Sequence, residues 1–306
     1  MAESPLLFPV YYKDMTIFVL DETSLPFHQH YEEVKTLQDA LLVLKDMKTR
    51  AFGQVLLFFY SCLLLKEDYT IVELASKFKE TRPTFDFELL GAILTEEQKR
   101  HQGLEEAIND FVAYFDRLRR SRAMKLAAIL PDPALIMTIC NFNGELIYLY
   151  DELQKLNKKA EFIVCETRPY LQGTRLTFWE LKRNNIPCKL ICDNQSAQMM
   201  RQGKVNCIIT GADRATTKGD IVNKIGTYSL ARLAHYYKIP FYPLTQYPKD
   251  IDPEDIKIEE RPGKEVFMFL PSMAAKGQDY SSIEAVYPSF DITINNFVTR
   301  CIELRV

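Results

Sequence analysis

The chain has 306 residues, 47% of them hydrophobic, which is enough to fill a proper core and excludes disorder as the default state. Lys and Arg number 38 against 41 Asp and Glu, a net charge of −3, so no overall basic field exists to hold nucleic acid or an anionic membrane. A small molecule or another protein is the expected partner.

The first thirty residues alternate short apolar runs with turns, as in Phe8-Pro9-Val10-Tyr11-Tyr12 and Met15-Thr16-Ile17-Phe18-Val19-Leu20, and predict a small antiparallel β element. From about Tyr31 to about Ala128 the apolar residues recur at three and four, as in Leu37, Leu41, Leu44 and again in Phe111, Tyr114, Phe115, Leu118. That spacing predicts helices, so residues 1–128 read as an N-terminal domain of β element to about residue 30 followed by helices. The longest apolar run, 55–65, is too short to cross a bilayer, and the amino terminus lacks a basic stretch followed by an apolar core. A soluble cytoplasmic protein is expected. His28 and His30 have no further ligands nearby in sequence and read as surface histidines, not a metal site.

After Pro131-Asp132-Pro133 the pattern changes: apolar runs at 134–140, 162–165, 188–192, 205–210 and 241–244 alternate with polar helical stretches. Alternation of this kind is the sequence form of βαβ units with strands buried on both faces, so residues 129–306 read as an α/β, doubly wound, Rossmann-like parallel-sheet domain. Sites in such sheets lie beyond the carboxyl ends of the strands. Cys140 closes the first run, Glu166-Thr167-Arg168 follows the second, and Asp213 follows the run at 205–210, so three segments converge on one crevice. Neither G-x-G-x-x-G nor G-x-x-x-x-G-K-[ST] occurs, and no dinucleotide or P-loop nucleotide is indicated.

Seven cysteines, mostly within apolar runs, fit reduced and buried thiols. Cys188 and Cys192 are four apart, but their setting reads as a strand, which argues against a metal site. Taken alone, Cys140 reads as a structural thiol, Asp213 as a cap following a strand, and any arginine as a surface ion pair.

Three segments weigh against those bland readings. The first runs from Cys165-Glu166-Thr167-Arg168-Pro169 through Gln172-Gly173-Thr174-Arg175-Leu176-Thr177 to Trp179-Glu180-Leu181. The second is Gly211-Ala212-Asp213-Arg214 with Gly219-Asp220-Ile221-Val222-Asn223-Lys224-Ile225-Gly226-Thr227-Tyr228, and the third is Tyr287-Pro288-Ser289-Phe290-Asp291-Ile292-Thr293. In order and spacing they resemble the family that contains methylthioribose-1-phosphate isomerase, ribose-1,5-bisphosphate isomerase and the regulatory subunits of translation initiation factor 2B. Phe18-Val19-Leu20-Asp21-Glu22, Leu25-Pro26 and Ile258-Glu259-Glu260-Arg261 resemble the methylthioribose branch.

The resemblance implies an intramolecular oxidoreductase that isomerises an aldose 1-phosphate to a ketose 1-phosphate, with no metal and no cofactor, as a homodimer. It makes Cys140 the proton-moving thiolate and Asp213 the acid at the ring oxygen. It assigns the phosphate to Arg50, Arg82, Gln172, Asn223 and Lys224. The acid needs a dry, closed pocket to hold its proton near neutrality, and the thiol needs nearby cations or a helix amino terminus to lose its own.

Three alternatives stay open: 5-methylthioribose 1-phosphate as substrate, another ribose phosphate carrying a second phosphate, and a non-catalytic initiation-factor-like regulator. The regulators generally lack the cysteine and aspartate pair, whereas a thioether substrate asks for an apolar pocket, for which Phe52, Phe58 and Tyr60 are candidates. Two departures bear on the site. Arg50-Ala51-Phe52-Gly53 stands where the family usually has Arg-Gly-Ala-Pro, and Cys140-Asn141-Phe142-Asn143-Gly144-Glu145 replaces a compact Cys-Asn-x-Gly turn, bringing the negative charge of Glu145 toward an anion site.

Overall fold

A computed structural model describes residues 4–83, 85–246, 248–267 and 284–304. The chain divides into two compact units, Glu3–Arg120 and Ser121–Val306.

The first unit opens with an antiparallel sheet of β1 (Val10–Lys13), β2 (Thr16–Leu20) and β3 (Tyr31–Val34), in that order. Lys13 pairs with Thr16, so Asp14 and Met15 alone make the turn, both with positive φ (48° and 56°), the backbone that lets a two-residue hairpin follow strand twist. The helical region starts later than the periodicity predicts. Tyr31–Val34 pairs with β2, and α1 (Leu37–Lys45) begins only where Thr36 and Asp39 form a capping box.

Helix α2 (Phe52–Leu64) is apolar nearly all round, and Leu56, Leu57, Phe58 and Phe59 are fully buried, the behaviour of a central helix. It packs among α1, α3 (Ile71–Thr81) and α4 (Phe87–Gln98). Helix α5 (Leu104–Ile129) follows, and the division between units falls within it. The Phe58 ring lies 5.3 Å from Phe78 and 5.5 Å from Phe87, Tyr60 stacks on Tyr12, and Phe52 stacks on Phe115 at 4.4 Å. These rings are spent on the unit's own core, so the expectation that Phe52, Phe58 and Tyr60 form a pocket for a thioether is corrected: helical periodicity turns them toward neighbouring helices.

The second unit is built on β4 (Ala134–Thr138), β5 (Ala160–Cys165), β6 (Cys188–Ile191), β7 (Cys207–Gly211), β10 (Phe241–Thr245) and β12 (Ile302–Glu303). They form one parallel sheet in the order β12-β10-β7-β4-β5-β6. The chain lays β5 and β6 on one side of β4, then crosses back to place β7, β10 and β12 on the other. This is the doubly wound order, and its switch point lies between β4 and β7. The connections carry α6 (Glu145–Lys155), α7 (Trp179–Arg183), α8 (Ser196–Arg201) and α9 (Thr227–Tyr237).

A small antiparallel sheet, β11-β9-β8, is added from β8 (Arg214–Ala215), β9 (Ile221–Lys224) and β11 (Phe290–Thr293). Its strands are too short and too polar to stand out as apolar runs.

Candidate active site

Cys140 lies two residues beyond β4 with a φ of 70°, a conformation that side chains rarely adopt. Two threonines hold it there. The Cys140 amide donates to Thr167 Oγ1 (2.9 Å), and Thr177 Oγ1 donates to the Cys140 carbonyl (2.6 Å). Thr167 is itself at φ 67°, fully buried, and its amide and that of Arg168 donate to the carboxylate of Asp193, each at 2.8 Å. Nothing in sequence spacing gives either threonine a role. The signal lies in backbone geometry, where a residue held at positive φ needs both peptide groups fixed.

The loop between them carries Gln172 and Gly173. Glycine is required at 173, because a Cβ there would meet the Cys165 carbonyl oxygen at 1.8 Å. A π-helical stretch, Gly173–Phe178, follows Gln172 and leads into α7. Gln172 is 5% exposed and its Oε1 is buried without a hydrogen-bond partner, a polar atom turned toward space that a ligand can fill.

Asp213 follows β7 at the other side of the switch point, its amide tied to the Val222 carbonyl of β9 at 2.9 Å. Among the described residues it is exposed, not enclosed in the dry pocket that the sequence reading calls for. The reason is position: it sits on the turn into β8, outside the edge of the main sheet.

Asn223 and Lys224 end β9, both more than nine-tenths buried. Asn223 Nδ2 donates to Thr227 Oγ1 (2.9 Å), while a Cβ at Gly211 would sit 3.6 Å from its Oδ1, which places Asn223 over the end of β7. Lys224 Nζ lies 4.8 Å from the Phe290 ring centroid. Gly226 has a φ of 102°, and a Cβ there would meet Ile139 Cδ1 at 3.1 Å, which brings this turn beside Cys140. The amino terminus of α9 is already occupied by a protein anion. Asp291 accepts from the amides of Gly226 (2.7 Å) and Tyr228 (3.0 Å). Burial pushes the Asp291 carboxyl up to about 6 against the pull of those two amides and of Lys224.

Glu145 does not bring free charge to the site. It is 4% exposed and its two carboxylate oxygens are held by the Arg122 guanidinium as a fork, while Arg122 Nη1 donates to the Thr245 carbonyl at 2.7 Å. The longer turn after Cys140 is fixed by Asn141 Oδ1, which accepts from the amides of Phe142 (2.8 Å) and Asn143 (3.1 Å).

Arg50 and Arg82 belong to the first unit, Arg50 just before α2 and Arg82 just after α3. Arg82 Nη1 lies 2.6 Å from Met47 Sδ, and the Arg50 amide donates to Glu22 Oε1 at 3.1 Å with its Nη1 3.5 Å from Oε2. Glu22 is fully buried, and desolvation raises its pKa above the usual carboxylate value despite the neighbouring arginine. Ala51, standing where the family pattern has glycine, takes a φ of 44°. In the same unit Asp21, His30 and Glu32 bring ligand atoms within 4.8 Å of one another, but Lys48 Nζ lies 2.8 Å from Asp21 and 3.5 Å from Glu32, in the place of a cation.

Burial raises the thiol of Cys62 and pushes Cys165 and Cys207 up to about 12 and the half-buried Cys188 and Cys301 up to about 11, which lowers their thiolate fraction. Cys140 is half-buried and Cys192 exposed. Among the described residues no helix is long and apolar enough to cross a membrane.

Comparison with known proteins agrees with this architecture. The Initiation factor 2 subunit family matches residues 31–303. A methylthioribose-1-phosphate isomerase of Syntrophomonas wolfei is 32% identical, over 96% of this chain and 92% of that protein, and one of Carboxydothermus hydrogenoformans is 33% identical, over 97% and 94%. The crystal structure of 5-methylthioribose 1-phosphate isomerase from Pyrococcus horikoshii superposes with a TM-score of 0.80 at 26% identity, covering 99% of this chain and 94% of that one. Translation initiation factor eIF-2B subunit delta from A. fulgidus gives 0.78 at 25% identity, covering 97% and 94%. With a family match across nearly its whole length and relatives of this identity over more than nine-tenths of it, the chain belongs to the Initiation factor 2 subunit family.

Proposed function

We propose that the chain is an aldose–ketose isomerase of methionine salvage that converts 5-methylthioribose 1-phosphate to 5-methylthioribulose 1-phosphate. The carrying observation is that Cys140 and Asp213 follow adjacent parallel strands, β4 and β7, on either side of the switch point. The full-length relatives named as isomerases support the same reading, and retention of both residues favours catalysis over a regulatory role.

In this reading Asp213, protonated, gives its proton to the ring oxygen as the bond from C1 to that oxygen breaks, and the Cys140 thiolate removes the proton from C2. The electron pair of that C–H bond becomes the C1–C2 double bond of an enol phosphate. The Asp213 carboxylate then takes the enol hydroxyl proton as the C2 carbonyl forms, and the Cys140 thiol returns a proton to C1. Every proton is accounted for, and both groups end as they began. Closure over the substrate supplies the desolvation that the exposed Asp213 lacks. Gln172, Asn223 and Lys224 meet the phosphate with side chains, since Asp291 holds the α9 terminus.

The test is turnover of purified protein with 5-methylthioribose 1-phosphate, with ribose 1,5-bisphosphate in parallel. In deuterium oxide the product should carry solvent deuterium at C1, and Asp213→Asn should lower kcat by at least about a hundredfold. A folded protein that turns over neither sugar phosphate would end the isomerase reading in favour of the regulatory one.

A further inference from the structure

We propose that Tyr287 is a substrate-binding residue of this site, its phenol hydroxyl donating a hydrogen bond to a sugar oxygen beside Cys140; this rests on the isomerase reading above. Tyr287 is 4% exposed, and its Oη is buried without any hydrogen-bond partner. A buried hydroxyl in this state is unfavourable unless something fills the gap.

The position of the side chain says what can fill it. The Tyr287 carbonyl accepts from the Arg261 amide (2.9 Å), and three residues on, Phe290 pairs with Lys224 in the register of β11 on β9. The ring lies 6.3 Å from that of Tyr170, two residues before Gln172, and the phenol is electrostatically coupled to Cys140. Tyr287 therefore stands beside Tyr170, which leads into the Gln172 loop, and three residues before the strand position that pairs with Lys224.

The polar neighbours on its other side are already engaged. Arg261 Nη2 donates to Tyr170 Oη (2.8 Å) and to Glu265 Oε1 (2.8 Å), while Arg261 Nε donates to Glu265 Oε2 (3.1 Å). The Tyr287 hydroxyl is left out of this network, although it lies close enough to feel its charges. Burial raises the phenol well above its ordinary range, so it stays protonated and serves as a donor, not as a base. A sugar carries hydroxyl and carbonyl oxygens suited to such a donor, and the phosphate remains with the cationic groups.

The experiment compares the full chain with Tyr287→Phe, which removes one oxygen and keeps the ring. With 5-methylthioribose 1-phosphate, kcat/KM should fall by at least about tenfold, the scale of one buried hydrogen bond left unmade. Because the hydroxyl has no partner in the free protein, Tm should be unchanged or higher. A kcat/KM within about twofold of wild type, or a loss accompanied by a lower Tm, would overturn the proposal, the second outcome marking a structural hydroxyl.

A second readout needs no turnover: protection of Cys140 from iodoacetamide by ribose 1-phosphate, mapped by mass spectrometry. Tyr287→Phe should need about tenfold more sugar phosphate for the same protection. If wild type is protected but fails to turn over the methylthio substrate, the isomerase reading falls while Tyr287 is still judged by this shift. Equal protection in both proteins, or none in either, would sink the Tyr287 assignment.

Discussion

Arg122→Met is the sharpest test of how the turn after Cys140 is stabilised. Glu145 and Arg122 are both nearly inaccessible to water, and the fork between them is the partner the structure gives the Glu145 carboxylate. Removing the guanidinium leaves a buried carboxylate uncompensated, which costs about 3–5 kcal/mol. The Thr245 carbonyl loses one donor but still accepts from the Leu304 amide at 2.9 Å, so the cost falls on the carboxylate. Against a total stability of about 5–15 kcal/mol the single variant should be close to unfolding. Arg122→Met combined with Glu145→Met removes both charges together, so the double variant should regain at least about 2 kcal/mol over the single one. The chain's one tryptophan, Trp179, lies in the same unit, so its fluorescence during urea unfolding reports on that unit alone. The double variant should also keep most of its isomerase turnover. If Arg122→Met costs less than about 1 kcal/mol, or the double variant is no better than the single, the pair does not neutralise Glu145 and the turn places charge in the site after all.

Thr177→Val deletes the donor on the Cys140 carbonyl without changing shape, and should lower kcat about tenfold while destabilising the fold by about 1–3 kcal/mol, read from kinetics and urea melts. Asp291 has its pKa raised from 3.8 to about 6, so its contribution to stability is full below about pH 4 and is lost as pH rises through 6. From pH 4 to pH 7 wild type should lose about 3 kcal/mol more than Asp291→Asn, and parallel profiles would contradict the burial argument. Ala51→Gly relieves a side chain held at a φ of 44° and should raise the urea midpoint by an amount worth about 1 kcal/mol, whereas a fall would mean that the site carries no strain. In graded alkylation Cys140 should react at lower pH than the buried thiols, and its modification should track loss of activity while that of the exposed Cys192 should not; an inert Cys140 would remove it from the chemistry.

The parallel sheet was legible because β4, β5, β7 and β10 are buried on both faces and read as mainly apolar runs, while the edge strand β6, exposed at Lys189 and Leu190, still carries three apolar residues of four; each run ends within two residues of the observed strand. The added sheet was not, since β8 has two residues and β9 ends in Asn223 and Lys224, so neither carries a period. Tyr31–Val34 was hidden for a related reason: it alternates weakly, and the capping box at Thr36, not the apolar spacing, marks where helix begins. In the site, the rule that ligands meet carboxyl ends of strands locates Cys140 and Asp213 from sequence. What escapes it is the support behind them: Thr167, Thr177 and Arg122 act through backbone geometry and tertiary contact, which leave no spacing to read.

The two departures from the family pattern do different things to the site. Glycine is the residue that tolerates positive φ, and Ala51 takes a φ of 44° at the cost of strain while the Arg50 amide donates to Glu22. At Glu145 the added charge comes with its own counterion, supplied by α5 and fixed to the end of β10 through Thr245. Neither change touches the peptide groups of Cys140, which are bonded by Thr167 and Thr177 from the connection that follows β5. A loss of activity in this lineage would leave no reason for a cysteine to be kept at a φ of 70° with both backbone groups engaged, because a relaxed residue there would be more stable. Strain that the fold maintains at one thiol among seven is the physical argument for chemistry at Cys140.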